Sequence, residues 1–442
     1  MDPQARELNE AIASVNPHIG KLLSAKGREI FFPKLGILSQ SAEAKGKRIN
    51  ATIGIAVEDD GSPMRFPSIA SLVKLPPDKV FPYAPSGGRP DMRLKWQEAL
   101  YRKNPGLAGR AVSLPVTTLA LTHGIYTAGY LFVDPGDEII VPDLYWENYD
   151  LVLGHGYGAR FVHYPLFAAG GFNLDGFARA LKGGSASAGG REGAGRAGKK
   201  IVLLNFPNNP TGYTPTVGEA RAIRDLIKEA AADCDGIVAI LDDAYFGLVY
   251  EEGILRESMF SALSDLDSKV LAVKLDGPTK EQYVWGFRVG FITFGIKGGT
   301  KVLYDALEAK AAGAVRGSIS CAPNISQSLV FAALDDPGYE AVRDEKYTIL
   351  RDRYREVRRI LSAHPEYRDF FEPLPFNSGY FMCVKLRDDL DAERVRQILL
   401  SSYDTGVIAG KSILRLAFSA VSLSLLRNLF ENIRRACADS LK

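Results

Sequence analysis

Lys274 to Phe291, KLDGPTKEQYVWGFRVGF, sets one loop lysine, Lys280, between two strand-like runs. Upstream, LAVKLDG ends a β-rich run at a glycine and a proline; downstream, YVWGFRVGFITFG alternates bulky and small residues as a strand does. Lys280 is therefore expected on a turn, eight residues before Arg288. An amine and a guanidinium held close together suit a ligand carrying both an aldehyde and a phosphate, the amine for the carbonyl carbon and the arginine for the anion. Taken alone, this spacing is also what many solvated surface loops show.

Outward from this loop the chain keeps an α/β rhythm. IVLLNFPNNPTG, residues 201–212, is an apolar strand entering a polar turn, and Thr216 to Glu219 has the spacing of a capping box for the next helix, with Ile223, Leu226, Ile227 and Ala230 on its buried face. GIVAILDDAYFGLVYEE, residues 236–252, is a second buried strand that ends on Asp242, Asp243 and Tyr245. Parallel sheets present ligands at the C-terminal ends of their strands, so an aspartate there is a candidate ligand group, although salt bridges and caps explain most such residues. Further upstream, VTTLALTHGIYTAGYLFVDPGDEIIVPDLYWENY reads as strand, turn, helix, turn, strand. The turn is expected at Thr122-His123-Gly124, which would aim the amides of Ile125 and Tyr126 at an anion. Tyr145, Trp146, Asn148 and Tyr149 close the following strand, where an aromatic can stack on a flat ring or simply pack the core.

Composition excludes several classes. The 442 residues are 46% hydrophobic and 24% charged, with 54 basic and 52 acidic residues for a net charge of +2. That is an ordinary globular composition, long enough for two domains, without the basic field that nucleic acid or an anionic membrane surface would require. Cys234, Cys321, Cys383 and Cys437 are scattered without metal-ligand spacing, and no apolar run reaches the roughly 18 residues of a membrane span. A small-molecule function in a reducing cytoplasm is expected, with no metal, nucleic acid or membrane partner.

The remaining segments fill in the architecture. Residues 9–27 read as a polar helix; INATIGIAV is β-like up to Gly54; the glycine-rich loop VFPYAPSGG carries Tyr83. Residues 183–200, GGSASAGGREGAGRAGKK, cannot bury an apolar face and read as a flexible surface insertion. Residues 336–364 read as one long helix, followed by a strand at NSGYFMCVKL, a helix near AERVRQILLSS, the strand SILRLAFSA with Arg415, and a terminal helix. The domains expected are 1–75 as an arm and part of a small α+β domain, 76–335 as a large domain with a mostly parallel sheet covered by helices, and 336–442 as the rest of the small domain.

Three segments together, NNPTG at Asn208 to Gly212, DDAY at Asp242 to Tyr245, and a lysine eight residues before the arginine of GFRVG, resemble the class I aminotransferases of pyridoxal-phosphate (PLP) fold type I, most closely the aspartate aminotransferases. The resemblance spans nearly the whole chain. It implies pyridoxal 5'-phosphate as cofactor, with Lys280 forming the internal aldimine and shuttling a proton. Asp242 would pair with the pyridinium nitrogen and Asp243 would be a spacer. Asn209 and Tyr245 would bond the ring's phenolate oxygen, and Trp146 would stack on its face. The phosphate would fall to Arg288, the Gly124 turn with Ile125 and Tyr126, and Tyr83 of a second subunit. Where the family has a serine three residues before the lysine, this chain has Gly277, with Thr279 as the nearest hydroxyl.

For substrate, the same resemblance implies Arg415 on the α-carboxylate, flanked by Asn209 and Gly54. Arg316, four residues before Ser320, would reach across a homodimer to an acidic side chain, although SCAPNIS departs from the SNPP usual after that arginine. The expected activity is ping-pong transfer of an amino group between aspartate or glutamate and a 2-oxo acid. A PLP lyase or β-decarboxylase is the alternative within enzymes. A non-catalytic PLP sensor lacks the basic N-terminal extension it would need, and a nicotinamide-binding protein lacks its GxGxxG.

Overall fold

The computed structural model describes residues 1–15, 23, 28–30, 37–71, 75–183 and 197–442. Its centre is a seven-stranded sheet of β1 (Val116–Thr118), β2 (Glu138–Pro142), β3 (Arg160–Tyr164), β4 (Ala197–Asn205), β5 (Cys234–Asp242), β6 (Val270–Asp276) and β7 (Gly290–Gly295). The strands lie in the order β1-β7-β6-β5-β4-β2-β3, and β7 alone runs against its neighbours. The apolar runs are continuous because both faces are covered. In β4, Val202 and Leu204 pack into one core and Ile201 and Leu203 into another, the period-two alternation of a strand buried on both sides.

Helices Pro90–Lys103, Leu174–Gly183 and Val217–Ala232 line the first core; helices Ala120–Phe132 and Lys301–Ser318 line the second. Val217–Ala232 starts with the expected capping box, Thr216 accepting from the Glu219 amide at 3.1 Å while the Glu219 carboxylate accepts from the Thr216 amide at 2.7 Å. A four-stranded antiparallel sheet follows, β8 (Phe371–Pro373), β9 (Met382–Leu386), β10 (Ile408–Gly410) and β11 (Ile413–Leu416), in the order β8-β9-β11-β10. The N-terminal segment joins this region, since Ile49–Asn50 pairs in parallel with Thr405–Gly406. A third apolar core runs from Ile49 and Ala51 through Tyr245 and Phe291 to Phe430 and Cys437, so the segment around residue 50 and the C-terminal helix share one core with residues at the edge of the large sheet.

Several expectations change. The first helix is Pro3–Val15, and residues 16–22 and 24–27 of the expected helix lie outside the described residues. Only Ile49–Asn50 of the β-like run before Gly54 is strand. The insertion is shorter than expected, because β4 begins at Ala197 and pairs with β5 from that residue; 184–196 lie outside the described residues. Downstream of Lys280 the strand starts only at Gly290, after a 3-10 turn at Trp285–Phe287. Among the described residues no helix is long and apolar enough to cross a membrane.

Candidate active site

The C-terminal ends of β4 and β5, the loop after β6 and the start of helix Ala120–Phe132 enclose a cavity of about 350 Å³. Gly54, Trp146, Asn209, Asp242, Tyr245, Thr279, Lys280, Arg288 and Arg415 all line it. Lys280 sits in the single helical turn Pro278–Glu281, whose backbone is pinned where Tyr380 donates to the Lys280 carbonyl at 2.9 Å. Its Nζ lies 5.0 Å from the centre of the Tyr245 ring. Burial lowers the Lys280 pKa to about 8; Asp242 opposes the shift and Arg288 adds to it. An unprotonated amine is therefore accessible near neutral pH, as a nucleophile or base requires.

Asp242 is the last residue of β5 and 2% exposed. Burial raises its pKa, while a 2.6 Å hydrogen bond donated by the Tyr149 hydroxyl and the charge of Lys280 work to keep it ionised. Asn205, at the end of β4, ties this strand end to the next turn: Nδ2 donates to the Asp242 carbonyl at 2.8 Å, and Oδ1 accepts from the Asn209 amide at 2.7 Å. Tyr149 was expected as a stacking or core aromatic and instead bonds Asp242 through its hydroxyl, and Asn205 was not singled out from sequence. The available signal for Asn205 was a polar residue closing an otherwise apolar run.

Arg415 is buried at 4% exposure with no carboxylate partner among the described residues. It donates to Asn209 Oδ1 at 3.2 Å and to the Thr52 carbonyl at 2.9 Å, stacks 4.4 Å from the centre of the Phe381 ring, and leaves Nε without a partner. A buried cation with spare N–H groups at a cavity wall is a receptor for an anion. Thr279 Oγ1, also buried and without a partner, gives the cavity another polar atom awaiting a ligand.

The helix starts one turn earlier than the expected Thr122-His123-Gly124 junction. The helix starts at Ala120, so Gly124, Ile125 and Tyr126 lie inside it and their amides face the preceding turn. The free amides belong to Ala120, Leu121 and Thr122, and these three residues line the cavity. Ala120 has φ 58° and Arg288 has φ 54°, left-handed conformations that cost energy in non-glycine residues and cluster at ligand sites. Gly277 has a packing reason: a Cβ there would stand 2.8 Å from the Val289 carbonyl oxygen. Asp243 is no spacer. It is buried, accepts from Ser258 Oγ at 2.5 Å, and forms an ion pair with Lys274. Tyr83 is 91% exposed, and Arg316, in the last turn of helix Lys301–Ser318, donates to Ser320 Oγ at 2.6 Å; neither lines the cavity of its own chain.

A family model for class I and II aminotransferases matches residues 74–433. An aspartate aminotransferase of Geobacillus stearothermophilus is 22% identical over 80% of this chain and 83% of its own. One of Rhizobium meliloti is 27% identical over 61% of this chain and 58% of its own, so the chain spans about three fifths of the first curated relatives it matches. Among solved structures, an aminotransferase from Anaerococcus prevotii superposes with a TM-score of 0.80 at 22% identity, covering 94% of this chain and 99% of that one. A Pyrococcus horikoshii kynurenine aminotransferase does so with 0.76 at 17%, covering 96% and 98%. At these identities the structural likeness establishes the fold.

The cofactor of this family is pyridoxal 5'-phosphate, and the cavity's donor set suits it. Thr279 Oγ1, the Arg288 guanidinium and the amides of Ala120 to Thr122 offer positive and hydrogen-bonding character for a phosphate. Asp242 offers a buried carboxylate for a ring nitrogen, and Lys280 an amine for an aldehyde.

Proposed function

From its place in the class I and II aminotransferase family, to which the chain belongs, we propose that the protein moves an amino group between an α-amino acid and a 2-oxo acid in two half-reactions at one site. The observation that carries this is the convergence of the Lys280 amine, the Asp242 carboxylate and the Arg415 guanidinium on one cavity. Bound pyridoxal 5'-phosphate supplies an electron-accepting ring that makes the substrate's Cα proton acidic.

The chain's own residues do the rest. Ala120, Leu121 and Thr122 amides, Thr279 and Arg288 would hold the phosphate, with Trp146 available to the ring. Asp242, held by Tyr149, would favour a protonated ring nitrogen, and Asn209 and Tyr245 would serve the phenolate oxygen. Arg415 grips the α-carboxylate beside Gly54 and Asn209, which fixes the orientation of the Cα–H bond. Lys280, with its depressed pKa, takes that proton and returns it, acting as general base and then general acid.

The substrate class is an amino acid with an acidic side chain, read by Arg316 of a second copy of this chain in a homodimer. Support comes from the Arg316 guanidinium, which is exposed and bonded to Ser320 without a carboxylate partner among the described residues. Phe81, Tyr83 and Tyr130, at 82%, 91% and 62% exposure, leave aromatic surface of the kind subunit interfaces cover. The test is a donor panel scored by loss of the cofactor's visible absorbance and by product identity. Aspartate and glutamate should react and yield 2-oxo acids, and Arg316→Ala should slow acidic donors at least about 100-fold more than aliphatic ones. Pyruvate with ammonia, or alanine with CO2, as main products would replace transamination by elimination or decarboxylation.

A further inference from the structure

Directly behind Asp242 lies a charged cluster that the proposed chemistry does not use. Lys274, on β6, is completely buried, and its ammonium touches two carboxylates, Asp243 and, at 3.1 Å, Asp276 Oδ2. Both carboxylates are anchored in turn: Ser258 Oγ donates to Asp243 Oδ2 at 2.5 Å, and Trp96 Nε1 donates to Asp276 Oδ1 at 3.0 Å. The ammonium also stands 4.9 Å from the centre of the Phe246 ring. A buried lysine on its own would shed its proton. Here burial pushes in that direction and the two aspartates outweigh it, so Lys274 stays charged.

Strand geometry gives the cluster its meaning. In the β5–β6 ladder Lys274 is opposite Leu241, and Asp242 is opposite Leu275. Side chains alternate between faces, so Lys274 and Asp276 stand on the face opposite Asp242. Asp243 is bonded to Asp242 through the backbone, and Asp276 precedes Lys280 by only four residues. The ammonium thus ties together the ends of the two strands that carry the ring-nitrogen carboxylate and the reactive amine. Its positive charge also acts on Asp242, favouring the ionised form. Buried ion pairs rarely gain stability over an apolar replacement, which leaves positioning and field as what this one contributes.

We propose that Lys274 is a positioning residue for the active site: its bridge between Asp243 and Asp276 fixes the separation of Asp242 and Lys280 and sets the local field at both. This rests on the cofactor lying between those two groups, so the measurements include signals that do not depend on turnover. Three variants of the full-length holoenzyme separate tether from charge. Asp276→Asn breaks one arm of the bridge and removes a negative charge. Lys274→Met removes the bridge. Lys274→Met with Asp243→Asn removes the bridge while restoring the cluster's net charge of one negative.

The readouts are the cofactor dissociation constant from equilibrium dialysis, the pH midpoint of the cofactor's visible absorbance, and the thermal melt of each apoprotein. The midpoint should fall by about half a pH unit in Asp276→Asn. In the double variant the midpoint should return to the wild-type value, while cofactor affinity stays about tenfold weaker and kcat 10- to 100-fold lower. If Lys274→Met does not fold, Asp276→Asn, which leaves Lys274 paired with Asp243, carries the test. Folded variants with wild-type cofactor affinity and wild-type midpoint would show the cluster to be packing alone and overturn the proposal. Normal values here alongside absent transamination would instead count against the proposed reaction.

Discussion

Lys280 illustrates how one residue carries opposite demands. Its amine is useful because burial strips the proton, and the same burial costs stability while the proton remains. Its pKa in the fold, about 8, lies below the ordinary 10.5. The unfolded chain therefore binds more protons between those values, and apoprotein stability should rise with pH across that window. In the apo form, Lys280→Met should be more stable than wild type at pH 7, by up to about 3 kcal/mol before allowance for water in the cavity. The advantage should shrink from pH 8 and vanish by about pH 10.5, as read by denaturant titration at several pH values. A constant difference across that range would mean that the amine is not paying for burial.

Gly277 makes the complementary point about shape. Its φ of 169° is extended backbone open to any residue, so conformation does not require glycine. The Val289 carbonyl oxygen and Gly290 Cα, 2.8 and 3.0 Å from where a Cβ would stand, do require it. Gly277→Ser, which installs the hydroxyl usual in the family, should lose about 1–3 kcal/mol of stability and gain no cofactor affinity, measured by melting and dialysis. Thr279 Oγ1 already offers the cavity a hydroxyl.

At the scale of elements, the cavity depends on how helix Ala120–Phe132 leaves β1. The start has no side-chain cap from Leu119; the Leu119 amide instead donates to His123 Nδ1 at 3.1 Å, and the ring's Nε2 meets Ser318 Oγ at 2.9 Å. The left-handed Ala120 is pressed against β7, where a Cβ on Gly290 would fall 2.6 Å from the Ala120 carbonyl carbon. Gly290→Ala must therefore displace either the strand ladder at Thr118 or the cup itself. We expect a cost of about 2 kcal/mol and at least tenfold weaker cofactor binding, seen together in melting and dialysis. Destabilisation with unchanged cofactor affinity would place the cup elsewhere.

For the whole molecule, the proposed homodimer places complementary defects in different copies. In the site of an Arg316→Ala subunit paired with a Lys280→Ala subunit, lysine and arginine are both intact; the other site lacks both. Unfolding and refolding an equal mixture of the two inactive variants should restore about a quarter of wild-type activity towards acidic donors, because random pairing makes half the dimers hybrids with one good site each. No recovery, with dimers confirmed by sedimentation, would mean that Arg316 does not serve the partner's site.

Much of this was written locally. Apolar runs bounded by turn residues determined the strands and the capping-box helix, because burial on both faces leaves a mark on every residue of a strand. Loop and strand-end chemistry likewise put Lys280 and Asp242 forward, since reactive side chains stand out where an apolar run stops, while Asn209 and Arg415 came forward through the resemblance of their motifs to the aminotransferases. The tertiary structure decided what depends on strand order and register. Tyr149 reaches Asp242 across 93 residues of sequence, and Arg415 reaches Asn209 across 206. The helix start at Ala120 was invisible because no capping residue marks it, while Gly124 imitates a turn. Asp243 looked like filler because its partner, Lys274, is 31 residues away. Lys280 itself was legible as a loop lysine beside an arginine. Its depressed pKa was not, because desolvation comes from the atoms that surround the amine after folding, and those are contributed by nearly every part of the chain.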